Sequence, residues 1–321
     1  MSKTAYEIIK NELKEVESLI RNQFSGNFGL ISQAINSTVL SGGKRLRPAL
    51  LLLCAKAGKN YDKSKALNLA CAVELIHAAT LIHDDIVDDS KFRRGMPTLQ
   101  SLFGKDAAVY AGDYVLIKAF NFLYSVKDFD IINLFSRVME KIVKGEIKQK
   151  EDVFKVISFT DYFKRIKKKT ALLFGLSCEV GGIIAGTDND KIRALKNFGI
   201  NFGIAFQIID DILDYTGNRE ILGKSPGNDI KEGVITLPLL LAIASPHYKD
   251  SLLQLIEGIK TGEDNSSRIV EIVLESGAIE RSKEFARRIL EKSIRSLSPI
   301  ENLTVKSALE SLALSSIERT F

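Results

Sequence analysis

Residues 65–89, KALNLACAVELIHAATLIHDDIVDD, decide the fold. Apolar side chains fall on nearly every face of this stretch when it is wound at 3.6 residues per turn. Such a helix is buried within a larger bundle rather than laid on a surface. It ends on four aspartates, Asp84, Asp85, Asp88 and Asp89. A solvated acidic helix end is the ordinary explanation for one such cluster, and it competes here with a metal or phosphate site.

The rest of the chain reads as further helices. Residues 4–23 place Ile8, Ile9, Leu13, Val16, Leu19 and Ile20 at helical spacing. Residues 30–40 follow, closed by the SerGlyGly at 41–43, and Pro48 sits where a first helical turn tolerates it. Helices are expected over about 106–126, 129–150, 160–185, 189–215, 235–244, 250–261, 265–276, 279–296 and 302–318. The turn RRGMPT at 93–98 and the Gly/Asn/Pro-rich stretch 217–229 are expected loops. Six prolines in 321 residues, none between Pro97 and Pro226, leave long stretches uninterrupted. No linker or repeat breaks the pattern, so the expectation is all-α: a single domain over 1–321.

Composition is that of a globular protein, 45% hydrophobic and 26% charged. The net charge of +5 is too small to argue for nucleic acid and suits an anionic substrate. Cys54, Cys71 and Cys178 lie far apart in apolar runs, with no metal-ligating spacing. They are expected to be buried thiols in a reducing cytoplasm. The charged, amphipathic start lacks a signal-peptide core, and no uncharged apolar run is of spanning length. The expected location is cytoplasmic, with at most peripheral membrane contact.

A second acidic cluster sits at Asp210, Asp211 and Asp214, with Gln207 one turn earlier. Asp84 and Asp88 share a helical face, as do Asp85 and Asp89, and as do Asp210 and Asp214. Like charges at this spacing repel and weaken a helix. Both clusters follow very apolar runs, so desolvating them is costly unless cations neutralise them. Oxygen donors without cysteine select a hard ion such as magnesium, which commonly adds phosphate oxygens to one or two carboxylates. Two DDxxD clusters in apolar helices therefore point to magnesium and a diphosphate.

The ordered set of segments resembles the trans-isoprenyl diphosphate synthases, the head-to-tail polyprenyl synthetases. The set runs SGGKRLRP (41–48), LIHDDIVDD (81–89), RRG (93–95), KGEIKQ (144–149), KKT (168–170), GIAFQIIDDILD (203–214), GKSPGND (223–229) and TLP (236–238). It covers most of the chain. The resemblance implies a helical bundle around a deep central cavity, of isoprenoid synthase type, usually a homodimer. It implies joining an allylic diphosphate (farnesyl or geranylgeranyl) to isopentenyl diphosphate, with release of pyrophosphate. Three magnesium ions would be held by Asp84, Asp88 and Asp210, with Asp85, Asp211 and Asp214 as ligands or their supports. Arg93, Lys169 and Lys224 would hold the allylic diphosphate. Lys44, Arg47, His77 and Arg94 would hold isopentenyl diphosphate. Thr170 and Gln207 oxygens would stabilise the allylic cation.

Short-chain members of the family carry Phe or Tyr just before the first aspartates. Here Ala79 and Thr80 stand there, one helical turn from the aspartates, and such small side chains imply room for a longer product, of about six to eight isoprene units. Val234 stands where many members have Lys, with Lys231 a candidate substitute. Some catalytic subunits that work with a small partner are relaxed at this position, so a heteromer is a second expectation. A terpene cyclase would replace the second DDxxD. An HD-type phosphohydrolase needs more than the three histidines present, and a non-catalytic partner subunit would have lost an aspartate cluster.

Overall fold

The computed structural model describes residues 3–25, 29–40, 43–93, 95–217 and 226–317. Helices dominate it: α1 (Lys3–Ile8), α2 (Lys10–Gln23), α3 (Leu30–Leu40), α4 (Leu46–Ala55), α5 (Lys63–Val87), α6 (Leu99–Phe103), α7 (Lys105–Ser125), α8 (Phe129–Glu151), α9 (Phe159–Ile166), α10 (Leu172–Ile184) and α11 (Asn189–Thr216). Six more follow, at Asn228–Lys231, Leu237–Ile243, Pro246–Lys260, Ser266–Glu275, Ala278–Ser296 and Leu303–Ile317. The expected all-α class holds. Among the described residues the sheet is a single two-stranded hairpin, β1 (Phe92–Arg93) against β2 (Met96–Pro97), formed by the stretch read as a plain loop.

The chain divides into two compact units, one of residues 1–137, 173–199 and 296–312, the other of 138–172, 200–295 and 313–321. In the first unit α5 packs along α7 and α4. Every residue of α4 from Pro48 to Ala55 is buried. Large aliphatic side chains there each contribute roughly 1.5–3 kcal/mol of burial. Small residues let backbones meet. A Cβ on Gly181 would lie 2.6 Å from the Leu51 carbonyl oxygen, and one on Gly199 2.6 Å from that of Phe174. Arg45, in a left-handed conformation before α4, donates to Glu74 at 2.7 Å and to the Val39 carbonyl at 3.0 Å.

Asp62 starts α5 by accepting from the Lys65 amide at 3.0 Å, an N-cap that satisfies one otherwise orphaned donor. By length and composition α5 is apolar enough to cross a membrane, which the sequence reading did not anticipate. Its most apolar window is 72% buried inside the protein, as befits a core helix. The helix ends as Asp88 donates its amide to the Asp84 carbonyl and Asp89 turns left-handed at φ +48°.

In the second unit Ser158 caps α9 through the Asp161 amide. The helix expected over 160–185 is not uniform: residues Lys167–Ala171 form a π turn between α9 and α10. Residues 4–23 are likewise interrupted, at Ile9 between α1 and α2. The three cysteines are buried free thiols, as expected.

Candidate active site

At the end of α5, Asp84 and Asp88 are half-buried and one turn apart, joined through the Asp88 amide and the Asp84 carbonyl at 2.9 Å. Asp85 is buried instead. It accepts from Arg93 Nε at 2.8 Å, and its backbone carbonyl accepts from Gln100 Nε2 at 2.6 Å. The β1–β2 hairpin is what returns Arg93 to it. Asp89 does not share a face with Asp85, because its left-handed backbone ends the helical register. Its carboxylate pairs with Lys91 at 3.2 Å and Lys105 at 3.0 Å, which hold it below the usual carboxylate range. His83 lies against α7, its Nε2 3.3 Å from Asp113 Oδ1. Gly112 makes this possible, since a Cβ there would come 2.4 Å from the same nitrogen.

Of the residues expected to bind isopentenyl diphosphate, Lys44 is half-buried and its carbonyl accepts from the Tyr6 hydroxyl at 2.5 Å. Arg47 lies 4.3 Å over the Phe174 ring. His77 is half-buried on α5, its carbonyl accepting from Thr80 Oγ1 at 2.8 Å. Arg94 and Lys224 lie outside the described residues.

In the second unit α11 carries Gln207, Asp210, Asp211 and Asp214. Asp210 is exposed, whereas Asp211 is buried, one residue on and a helical step of about 100° away. Asp211 Oδ2 accepts from the Tyr162 hydroxyl at 2.6 Å and Oδ1 from Gln207 Nε2 at 2.8 Å. Burial pushes its carboxyl up to about 7, against the lowering effect of those two hydrogen bonds. Asp214 accepts from the amides of Asn228 and Asp229, both at 3.1 Å, and burial lifts it to about 6. Asp229 is pushed well above its ordinary value by burial and by the neighbouring carboxylates.

Gln207 turns its amide nitrogen to Asp211, and to Asp210 Oδ2 at 3.3 Å. Its Oε1 accepts the Thr170 hydroxyl at 2.5 Å. The π turn explains how Thr170 arrives there. Eight residues of regular helix would rotate Thr170 about 80° from the face of Tyr162. A π turn absorbs one residue, leaving a seven-residue step only about 20° off that face. Lys169, beside Thr170, pairs with Glu146 of α8 at 3.3 Å. Gly145 lets α8 approach, as a Cβ there would stand 2.7 Å from Lys168 Cβ. Helical periodicity alone marks neither Glu146, in the KGE segment, nor Tyr162 as part of this arrangement. Lys231, the candidate substitute for the Lys absent at Val234, is exposed and pairs with Asp264 at 3.7 Å.

A hard divalent cation fits these residues. The donors are all oxygen, and carboxylates raised by burial and mutual repulsion are what nearby positive charge relieves. Among the described residues no three His, Cys, Asp or Glu side chains form a ready-made cage. Magnesium does not need one, as it completes its shell with phosphate oxygens and water.

The polyprenyl synthetase family profile matches residues 29–273. The chain is 34% identical to heptaprenyl diphosphate synthase component 2 of Bacillus subtilis, covering 97% of this chain and 89% of that one. It is 33% identical to the octaprenyl diphosphate synthase of Escherichia coli over 98% of this chain and 97% of the other. Among solved structures, a polyprenyl synthase from Caulobacter crescentus complexed with calcium and isoprenyl diphosphate superposes with a TM-score of 0.92 at 32% identity, over 100% and 98% of the two chains. The profile covers more than half of the chain and these relatives nearly all of it, so the protein belongs to the polyprenyl synthetase family, among its trans-polyprenyl diphosphate synthases of medium- to long-chain type.

Proposed function

We propose that this chain is a magnesium-dependent prenyltransferase that condenses a farnesyl or geranylgeranyl diphosphate primer repeatedly with isopentenyl diphosphate, to an all-trans product of about C30–C40. The observation that carries the reading is the Thr170–Gln207 pair. The Thr170 hydrogen is engaged by Gln207, and the Gln207 NH2 is engaged by carboxylates. Both groups therefore offer oxygen lone pairs, which stabilise an allylic cation without carrying a charge that would trap it.

Asp84 and Asp88 of one unit and Asp210 of the other would hold magnesium, which would supply charge neutralisation for the departing diphosphate. Lys169, held in place by Glu146, and Arg93, held by Asp85, are cations for the allylic diphosphate. Lys224 belongs to the same group by position in sequence. Lys44, Arg47, His77 and Arg94 orient isopentenyl diphosphate so that its double bond faces the cation; proximity is much of the acceleration. Released pyrophosphate takes the proton. Asp85, Asp211 and Asp214, whose oxygens accept hydrogen bonds from Arg93, from Tyr162 and Gln207, and from two backbone amides, support the ligands. In this reading residues 1–321 act as one catalytic domain in the cytoplasm, which the three buried free thiols support.

A homodimer is supported by α7, where Tyr110, Ile117, Phe120 and Tyr124 recur at intervals of seven, three and four residues and are exposed, Tyr110 at 73% and Tyr124 at 72%. Four large apolar groups on one stripe are a partner surface rather than scattered surface residues. The relative named component 2 favours a second reading, in which a small partner subunit covers the same stripe. Light scattering of the purified chain separates the two.

The test of function is incubation with magnesium, farnesyl diphosphate and isopentenyl diphosphate. Pyrophosphate release only when both substrates are present, with a C30–C40 product by mass, is expected. Release from one substrate alone would point to a hydrolase or a cyclase and sink the proposal.

A further inference from the structure

We propose that Tyr162 and Asp211 are a positioning pair that dictates which way the Gln207 amide faces, and so which atoms meet the allylic cation. The inference rests on the reading of Gln207 as a cation-facing oxygen.

An amide is nearly isosteric when flipped, so its surroundings choose between presenting oxygen and presenting NH2. Asp211 makes that choice here. Asp211 Oδ2 already takes the Tyr162 hydroxyl at 2.6 Å, and Oδ1, the oxygen left facing Gln207, accepts from Gln207 Nε2 at 2.8 Å. Flipping the amide would set oxygen against oxygen at that distance. It would also swing the NH2, the positive end of the group, to the Thr170 side, where it would repel a carbocation.

Asp211 can enforce this only if it cannot rotate. Tyr162 prevents rotation by donating to the other oxygen, Oδ2, at 2.6 Å. The ring of Tyr162 is fully buried. It is fixed by the Arg165 guanidinium 5.7 Å over its centre, while Arg165 itself donates to the Ile235 carbonyl. Phe163 adds an edge contact with centroids 5.3 Å apart.

The arrangement closes on itself. Tyr162 donates to Asp211, which orients Gln207, which accepts from Thr170. Tyr162 and Thr170 belong to the same continuous segment, α9 and its π turn, and are brought onto one face by that turn. One segment therefore grips the α11 pair Gln207–Asp211 at both ends. Neither Tyr162 nor Asp211 touches the reacting carbon in this scheme. Their effect passes through Gln207.

The experiment is a double-mutant cycle in steady-state kinetics with Tyr162→Phe, Gln207→Met and the double variant. KM for both substrates, magnesium half-saturation and thermal midpoint are measured for each. Tyr162→Phe is expected to lower kcat about tenfold, the effect of one buried hydrogen bond, with little change in either KM. In the Gln207→Met background the same substitution is expected to change kcat no further. Wild-type kcat in Tyr162→Phe overturns the proposal. So does an undiminished fall in the Gln207→Met background, which would make Tyr162 a purely structural residue. Full activity of Gln207→Met would instead remove the cation-facing role of Gln207, leaving the hydrogen-bonded pair without a catalytic consequence. Should Tyr162→Phe fail to fold, Asp211→Asn replaces it in the cycle, since an amide offers either polarity where the carboxylate offers one. It is expected to lower kcat and to be silent beside Gln207→Met; wild-type kcat there overturns the proposal equally.

Discussion

Thr80→Tyr and Ala79→Tyr should separate the length of the product from the stability of the helix expected to limit it. The two positions precede Asp84 on α5 by four and five residues, about 6 and 7.5 Å along the axis at 1.5 Å per residue. An isoprene unit adds four bonds to the tail. Scaled from the 3.3–3.6 Å that the three backbone bonds of one extended residue span, that is roughly 4.4–4.8 Å of extended chain. A tyrosine ring at either position thus stands less than two units beyond the aspartate. A tail passing this face should stop at about C20 or shorter instead of about C30–C40. The cost differs between the two. Ala79 is only 2% exposed, so a ring must enter filled space, at about 1–3 kcal/mol of overpacking. Thr80 is half-buried and gives up only a hydrogen bond to the His77 carbonyl, about 0.5–1.5 kcal/mol. Thr80→Tyr should therefore shorten the product at nearly unchanged stability, and Ala79→Tyr should shorten it with a clearly lower denaturation midpoint. Product mass after incubation with farnesyl and isopentenyl diphosphates, beside urea titrations, reads both quantities. Wild-type product from both variants refutes the passage of the tail along this face. Shortening by Ala79→Tyr alone refutes the use of exposure to locate it.

Asp88→Asn should raise the magnesium concentration for half-activity more than tenfold, as expected for a lost ligand charge, while Asp89→Asn, whose carboxylate is paired with Lys91 and Lys105, should leave it unchanged; equal effects would refute the division between them. Gly112→Ala should displace the His83 ring, because the new Cβ would stand 2.4 Å from Nε2, and raise magnesium half-saturation through Asp84 next to it; an unaltered metal titration counts against that coupling. Gly199→Ala drives a Cβ to 2.6 Å from a backbone oxygen that cannot swing aside, and should cost about 1–3 kcal/mol in urea unfolding, with a loss under about 0.5 kcal/mol refuting the close packing. Burial raises the carboxyl of Glu12, but the Lys56 ammonium at 2.6 Å and the Tyr61 hydroxyl at 3.2 Å overcome it, so its value is lowered in the fold. A lowered carboxylate stabilises above its unfolded value, about 4.3, and loses that stabilisation as pH falls through the folded one. The stability gap between wild type and Glu12→Gln should accordingly be wide at neutral pH and close in acid, as denaturant midpoints at both would show.

How far the site was legible depends on what marks each residue in the chain. The buried character of α5 and the spacing of Asp84 to Asp88 are periodic, and periodicity is visible in a sequence. The π turn is not, because KKKTA has no residue that distinguishes a π turn from the α-helix on either side; without it Tyr162 reads as one more apolar position of α9. Arg93 was legible as a cation, but its pairing with Asp85 depends on the hairpin that a Gly-containing turn only suggests. What the sequence writes as two copies of DDxxD therefore conceals a division of labour. In each copy the second aspartate, Asp85 or Asp211, is buried and accepts a side-chain hydrogen bond, from Arg93 in one unit and from Tyr162 and Gln207 in the other. The first, Asp84 or Asp210, is the more accessible. Adjacent residues on a helix diverge by about 100°, so a pair of neighbouring carboxylates cannot both face one ligand. In the proposed scheme the doubled aspartate is one group left accessible for a metal and one turned inward, each inward group hydrogen-bonded to a partner, Arg93 or Gln207, whose orientation that scheme needs.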